Sequence, residues 1–161
     1  MRKLLLIGSL LALAFMAKAQ QKRIVKLLNE QLDRELAHYA FDDSLKIIRG
    51  FEIDKNNILS LEVEKINLST NERQRIKSEV PLDKITGFLK DINVIFETEQ
   101  DAVTVTRTVV DDQGRPLHTE TRQYFLFFTE ICKEECEGLR DDMLEAFSKA
   151  GYSIECPFWS N

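Results

Sequence analysis

The sequence contains few of the residues and motifs from which enzyme and cofactor sites are commonly built. It has only six glycines, two histidines and three cysteines among 161 residues. It has no GxSxG nucleophile elbow, no glycine-rich phosphate loop, no dinucleotide-binding fingerprint and no HExxH zinc motif. The sequence therefore predicts no catalytic residues, no cofactor or cofactor-binding residues, and no metal ligands.

Adjacent carboxylates are the remaining candidates for acid–base chemistry. The three pairs are Asp42–Asp43, Asp111–Asp112 and Asp141–Asp142. Each pair falls in a predicted turn, in a predicted loop or on the surface of a predicted helix. Acid–base catalysis requires a defined geometry, which the sequence does not give. We therefore interpret these carboxylates as solvated surface acids. A hydrolase that uses unrecognised acidic residues, with His118 converging on them, is kept as an alternative.

The sequence also has no excess of positive charge. Its formal net charge is −5 at pH 7, and no basic stripe stands against the acidic trend. An acidic protein is repelled by phosphate backbones and by anionic lipid surfaces. We therefore expect no nucleic-acid partner.

The N-terminus has the three parts of a secretory signal peptide of bacterial type. Basic residues 2–3 precede the apolar run Leu4–Ala17, and Ala-Lys-Ala at 17–19 supplies the small residues of a cleavage site. The run has 14 residues, whereas a membrane span needs about 20. We predict that residues 1–19 are cleaved and that the mature chain, starting at Gln20, is a soluble periplasmic or secreted protein with no integral membrane association.

The mature chain has the size of one domain. Removal of the first 19 of 161 residues leaves 142 and changes the formal net charge from −5 to −8, because three cationic residues are lost. The chain has no repeats, low-complexity tracts or Pro/Gly-rich linkers. Residues 20–161 are therefore predicted to form a single domain.

Hydrophobic periodicity predicts an α+β fold that begins and ends with a helix. Helical spacing of apolar residues predicts one amphipathic helix from near Lys22 to near His38 and another from about Glu130 to Ala150, ended by Gly151. Between them, about six strands form an antiparallel meander, and both helices pack on one of its faces. A short C-terminal strand follows, and the segment PLDKITGF is read as a single helical turn. The predicted strands are SLKIIRGFEID, ILSLEVEKINL, RQRIKSEV, INVIFETE, AVTVTRTVV and LHTETRQYFLFF.

One hairpin has a polar face and a register that depends on its turn. A two-residue turn at Gln113 and Gly114 places Arg107 opposite Glu120 and puts alternate threonines on one face, whereas a bulge at Gly114 shifts this pairing. We interpret the threonine-rich face as solvated. A flat surface that binds a protein or a glycan is the alternative.

The three cysteines are predicted to form one structural disulfide. The CxxxC spacing of Cys132 and Cys136 differs from the CxxC pairs of zinc sites and redox motifs. An oxidising compartment favours disulfides. Five extended residues after Gly151 cover about 16 Å, so Cys156 returns level with residues 136–140. We therefore predict a Cys136–Cys156 bond, with Cys132–Cys156 and Cys132–Cys136 as alternatives, and Cys132 as a buried leftover thiol.

The leading functional hypothesis is a non-catalytic module that binds a protein or another component of the cell envelope. The alternative is a small carrier of apolar ligands or lipids, which needs a curved sheet around a pocket. A cavity lined by the four phenylalanines of the apolar strands favours the carrier. A filled core with an exposed apolar patch favours partner binding. These four residues are Phe88, Phe96, Phe125 and Phe127.

Overall fold

The computed structural model describes residues 2–38, 45–132 and 136–160. Within these ranges the chain forms two helices, eight strands and one 3-10 turn. The helices are α1 (Arg2–His38) and α2 (Leu139–Ala150), and the 3-10 turn is Leu82–Lys84. The strands are β1 (Leu45–Ile53), β2 (Ile58–Asn67), β3 (Glu72–Pro81), β4 (Ile85–Lys90), β5 (Val94–Thr98), β6 (Val103–Val110), β7 (Pro116–Tyr124) and β8 (Leu126–Phe128).

The strands form two antiparallel sheets, which confirms the α+β class but corrects the single meander. The larger sheet has the order β1-β2-β3-β6-β7, and the smaller has the order β4-β5-β8. Two parallel bridges, Gly87 to Glu155 and Lys90 to Trp159, place the C-terminal segment beside β4. The short C-terminal strand expected from the sequence is therefore reduced to two isolated bridges.

Two local breaks explain why six predicted strands become eight. After Pro81 the chain makes the 3-10 turn and then starts β4, so PLDKITGF contains both a helical turn and a strand. At Phe125 the chain bends, which divides the predicted strand LHTETRQYFLFF into β7 and β8. Each break carries the chain from the larger sheet to the smaller one, and β8 comes to lie against β3.

Along most of its length, the hairpin of β6 and β7 has the first of the two registers considered from the sequence. Arg107 lies opposite Glu120, and two cross-strand threonine pairs are joined by their hydroxyl groups at 3.2 and 3.0 Å. The only irregularity in the pairing lies between Val109 and Val110, next to the turn. The turn itself differs from the two-residue turn at Gln113 and Gly114: the Gly114 amide donates to the Asp111 carbonyl and the Asp111 amide to the Arg115 carbonyl, so the turn is centred on Asp112 and Gln113. The irregularity beside it restores the pairing of Arg107 with Glu120.

The first helix packs against α2 and β1 through the apolar stripe that the sequence predicts. Its residues Ile24, Leu28 and Leu32 are buried. Arg23 also forms two ion pairs with α2: its Nη2 atom lies 2.9 Å from Asp142 Oδ1 and 2.9 Å from Glu145 Oε2. Within the described residues, no helix combines the length and the apolar character that crossing a bilayer requires.

The second helix is shorter than predicted. It starts at Leu139, whereas the sequence suggested about Glu130. Glu130 and Cys132 both have a φ of 60°, in the left-handed region, which an α-helix does not accept. The residues before them continue the pairing with β5, since the Thr129 amide donates to the Val94 carbonyl. The end was predicted correctly, because Gly151 adopts the left-handed C-cap at φ 90°.

A cluster of four buried phenylalanines joins the smaller sheet to α2. The ring of Phe96 lies at its centre, with centroids 5.3 Å from Phe88, 6.2 Å from Phe127 and 5.7 Å from Phe147. All four side chains are completely shielded from solvent. Because these rings pack on one another, the space between the smaller sheet and α2 is filled with side chains.

The Phe96→Ala substitution should therefore cost about 3–5 kcal/mol of unfolding free energy, since it removes a fully buried ring that its neighbours cannot replace. Chemical denaturation monitored by circular dichroism measures this loss. Phe125→Ala is the matched control, because Phe125 is 56% exposed, and it should change the stability by no more than about 0.5 kcal/mol. Equal losses in the two variants would contradict this assignment of the core.

Candidate functional site

The disulfide of the structure differs from the pairing that the sequence favoured. Cys132 is bonded to Cys136, and Cys156 is a free thiol. The predicted Cys136–Cys156 bond and the leftover thiol at Cys132 are therefore corrected. The prediction assumed that both members of the CxxxC pair lie on a helix. They instead precede α2, with a Cα–Cα distance of 5.6 Å, within the range of ordinary disulfides.

The position of Cys156 agrees with the return path that was predicted. Tyr152, Ile154 and Cys156 are half-buried at alternate positions, while the residues between them are exposed. The charges of Arg140 and Asp141 affect the pKa of the Cys156 thiol, so this thiol lies near the start of α2. Burial raises the pKa of this thiol. Because the thiolate is the reactive form, Cys156 should react slowly with alkylating reagents near neutral pH.

Tryptic mapping without reduction should recover peptide 123–133 linked to peptide 134–140, because Lys133 lies between the two bonded cysteines. Peptide 150–161, which contains Cys156, should appear as a monomer that iodoacetamide labels more slowly in the folded protein than after denaturation. The fully reduced digest is the control. Recovery of peptide 150–161 only in a link to either of the other peptides would overturn this connectivity.

Of the acidic pairs named from the sequence, two have a carboxylate that is bonded to a neighbouring side chain or amide, and the third lies outside the described residues. The Asp111 carboxylate accepts hydrogen bonds from the amides of Gln113 and Arg115 and from the Arg115 guanidinium. The bonds from Arg115 lower the pKa of Asp111. Asp142 pairs with Arg23. Asp42 and Asp43 fall in a range that is not described, and His118 is exposed on β7.

A cleft opens where the smaller sheet leaves the inner face of the larger sheet uncovered. We call it the inter-sheet cleft; its volume is about 270 Å³. Apolar side chains from both sheets form most of its wall, and charged side chains stand at its border. Its apolar wall residues are Leu61, Val63, Ile76, Val105, Leu126 and Phe128.

Fixed polar groups border this cleft. Lys65 Nζ lies 2.6 Å from Glu130 Oε1, an ion pair that connects β2 to the segment following β8. The Arg107 guanidinium donates to the Tyr124 hydroxyl at 2.9 Å and stands 5.5 Å from the centroid of its ring. Asn93 Oδ1 is buried in the same region, and it accepts no hydrogen bond from any of the residues that the structure describes. The cleft therefore has apolar walls, two cationic side chains at its border and one acceptor that receives no hydrogen bond from the described residues.

Strand β8 forms one wall of the cleft and is an edge strand. Phe125 accepts a hydrogen bond from the Thr98 amide, and Thr129 donates to the Val94 carbonyl, so these alternate residues face β5. Backbone groups of an antiparallel strand alternate in direction. The amide and carbonyl groups of Leu126 and Phe128 therefore point away from β5. Over the described ranges, β8 pairs with no strand on that side.

The exposed aromatic side chains of the smaller sheet lie at this edge. Phe125 is 56% exposed and Phe128 is 50% exposed, while Phe127 between them is fully buried. Sequence reasoning placed the whole of YFLFF in one strand and did not distinguish these positions. The bend at Phe125, which turns it out of the core, has no clear signal in the sequence.

The pocket expected for a ligand carrier is not formed by the residues named for it. Phe88, Phe96 and Phe127 pack against one another in the core, and Phe125 points to solvent. Across the described positions there is also no group of three or more His, Cys, Asp or Glu side chains that could hold a metal ion.

Comparison with known proteins adds no relative: no protein-family model, no curated protein and no solved structure matches this chain. The function must therefore be inferred from the geometry of the chain itself.

Proposed function

We propose that this chain is an exported, non-catalytic module that binds a partner protein of the cell envelope through the open edge of β8. The observation that carries the proposal is the position of this edge. Unpaired backbone groups of Leu126 and Phe128 lie beside exposed aromatic rings and next to an apolar cleft. An unpaired edge of this kind is a template for another strand.

The backbone of β8 selects an extended peptide as the binding partner. A strand that adds to β8 satisfies the outward amides and carbonyls, and main-chain hydrogen bonds of this type supply affinity in strand addition. Side chains of the added strand alternate between two faces. One set lies on the same face as Leu126 and Phe128, which is the face toward the inter-sheet cleft.

The apolar walls of the cleft suit small apolar side chains of such a peptide. With about 270 Å³, the cleft is smaller than the roughly 300–1,000 Å³ of typical small-molecule sites. It can accept one or two side chains more readily than a lipid chain. For this reason the geometry favours a peptide-binding module over the carrier. Nothing in the positions of His118 and of the two acidic pairs within the described ranges favours a hydrolase.

Export is the part of the proposal that depends on the N-terminal segment. Expression of the full chain in a Gram-negative host should yield a periplasmic protein whose intact mass corresponds to residues 20–161, because the Ala-Lys-Ala sequence at 17–19 fits signal peptidase. Replacement of Ala19 by Arg should leave a precursor with the mass of the full chain. A cytoplasmic wild-type protein that retains residues 1–19 would contradict the export proposal.

Partner binding can be tested with a substitution that affects only the outward side of β8. Phe128→Pro removes an amide that does not bond to β5, so the fold should be retained while strand addition is blocked. Capture of partners from the native envelope fraction, quantified by mass spectrometry, should fall by at least about tenfold relative to wild type.

Phe128→Ala is the matched control, because it removes the ring but keeps the amide, and it should weaken capture less than Phe128→Pro does. Circular dichroism verifies that both variants are folded. The proposal is wrong if the wild-type protein captures no protein above background. It is also wrong if folded Phe128→Pro retains the same partner at the wild-type level.

A further inference from the structure

We propose that two copies of this chain associate through β7, an edge strand of the larger sheet, and form one continuous antiparallel sheet. β7 stands at the end of the strand order, and over the described ranges it pairs only with β6. Seven of its nine residues are exposed, so this edge lies at the molecular surface. The edge is separate from β8, which belongs to the smaller sheet, and the inference does not depend on the proposed function.

The opposite edge of the larger sheet, β1, is partly covered by α1. The Asn29 side chain accepts a hydrogen bond from the Phe51 amide and donates one to the Phe51 carbonyl, both at 2.8 Å. Gly50 permits this approach, because a Cβ atom there would lie 2.6 Å from Asn29 Oδ1. Among the described residues, β7 has no comparable contact. This leaves β7 as the edge at which the larger sheet can be extended.

The side chains of β7 are complementary to those of a second, antiparallel copy of the same strand. Glu120 and Arg122 lie on one face of β7, where their side chains form an ion pair at 2.9 Å. A two-fold axis through Thr121, perpendicular to the sheet, places Glu120 of each copy opposite Arg122 of the other. Opposite charges that face each other across an antiparallel pair are stabilising, and like charges are destabilising. This charge complementarity favours a second copy as the occupant of the edge.

Other positions of the two-fold axis are less favourable. Side chains alternate between the two faces of a strand, so an axis that keeps equivalent faces together passes through a residue. An axis at Glu120 sets two carboxylates against each other, and an axis at Arg122 does the same with two guanidinium groups. An axis at Thr119 brings Pro116, which has no amide to donate, opposite Arg122. The axis through Thr121 avoids all three problems.

The backbone groups of residues 118–124 also match in this register. Residues that face each other lie equally far from Thr121, so their amides and carbonyls point outward together. The outward pairs exchange about six to eight main-chain hydrogen bonds between the copies. Leu117 and Phe125, which are 66% and 56% exposed, are also equally far from Thr121. The same axis therefore brings exposed apolar side chains of the two copies near each other at both ends of the pairing.

Sedimentation velocity of the purified protein over a range of concentrations tests the association. We expect a reversible monomer–dimer equilibrium with a dissociation constant below about 1 mM, since one strand pair makes a small interface. Arg122→Glu should weaken the dimer at least about tenfold, because it sets carboxylates opposite each other at two places. Lys55→Glu makes the same change of charge in the exposed turn between β1 and β2, and it should leave the equilibrium unchanged.

A mixture of two variants separates a lost contact from a damaged fold. Glu120→Arg should also weaken self-association, because it sets guanidinium groups opposite each other. An equimolar mixture of Glu120→Arg and Arg122→Glu should form a heterodimer, since every charge of one copy then faces the opposite charge of the other. Circular dichroism verifies that each variant is folded.

The position of the axis can be tested by cross-linking, because Thr121 on the axis faces its own equivalent. Thr121→Cys should form an intermolecular disulfide in oxidised glutathione, since residues that face each other in antiparallel strands have Cα atoms about 4.5–5.5 Å apart. Thr119→Cys carries the same number of cysteines but faces Gln123, so it should cross-link more slowly. Non-reducing electrophoresis quantifies both products.

The proposal fails if the protein remains monomeric up to about 1 mM, or if folded Arg122→Glu associates as tightly as wild type. It also fails if Thr119→Cys cross-links as fast as Thr121→Cys. A dimer that Phe128→Pro abolishes and Arg122→Glu leaves intact assigns the interface to β8 and overturns pairing through β7.

Discussion

The packing of Phe96 against three other buried phenylalanines is the interaction on which the rest of the structure depends. It joins β5 to β4, β8 and α2. A three-stranded sheet of five- or six-residue strands with one three-residue edge has little stability of its own. The buried rings provide the apolar contact that holds this sheet in place, and they thereby determine where both of its edges lie.

The two edges of the smaller sheet have different environments. At one edge, β8 has outward backbone groups and exposed aromatic rings beside an apolar cleft. At the other edge, β4 is bridged by the C-terminal segment, which places Trp159 and the Ser160 carbonyl next to Lys90. The first edge favours an extended backbone as a ligand.

Periodicity in the sequence was sufficient to predict the elements that depend mainly on local residue spacing. The apolar stripe of α1, the pairing of Arg107 with Glu120 and the C-cap at Gly151 agree with the sequence patterns, because each depends on local spacing or turn chemistry. The prediction was wrong where tertiary pairing overrode the local pattern. Ile131 and Cys132 begin an apolar pattern typical of a helix, but the residues before them pair with β5, and Glu130 and Cys132 adopt left-handed conformations. The cysteine pairing followed from that wrong helix start. The inter-sheet cleft could not be predicted, because its walls come from residues that are distant in the sequence.

Amide hydrogen exchange along β8 tests most directly the claim that this strand is an anchored but open edge. The account predicts strong protection of the Thr129 amide, which donates to β5, and of Phe127, which lies opposite Phe96. The amides of Leu126 and Phe128 should exchange at rates typical of solvent-exposed loops. Equal protection of all four amides in the isolated protein would show that the edge is already covered, and it would contradict the account.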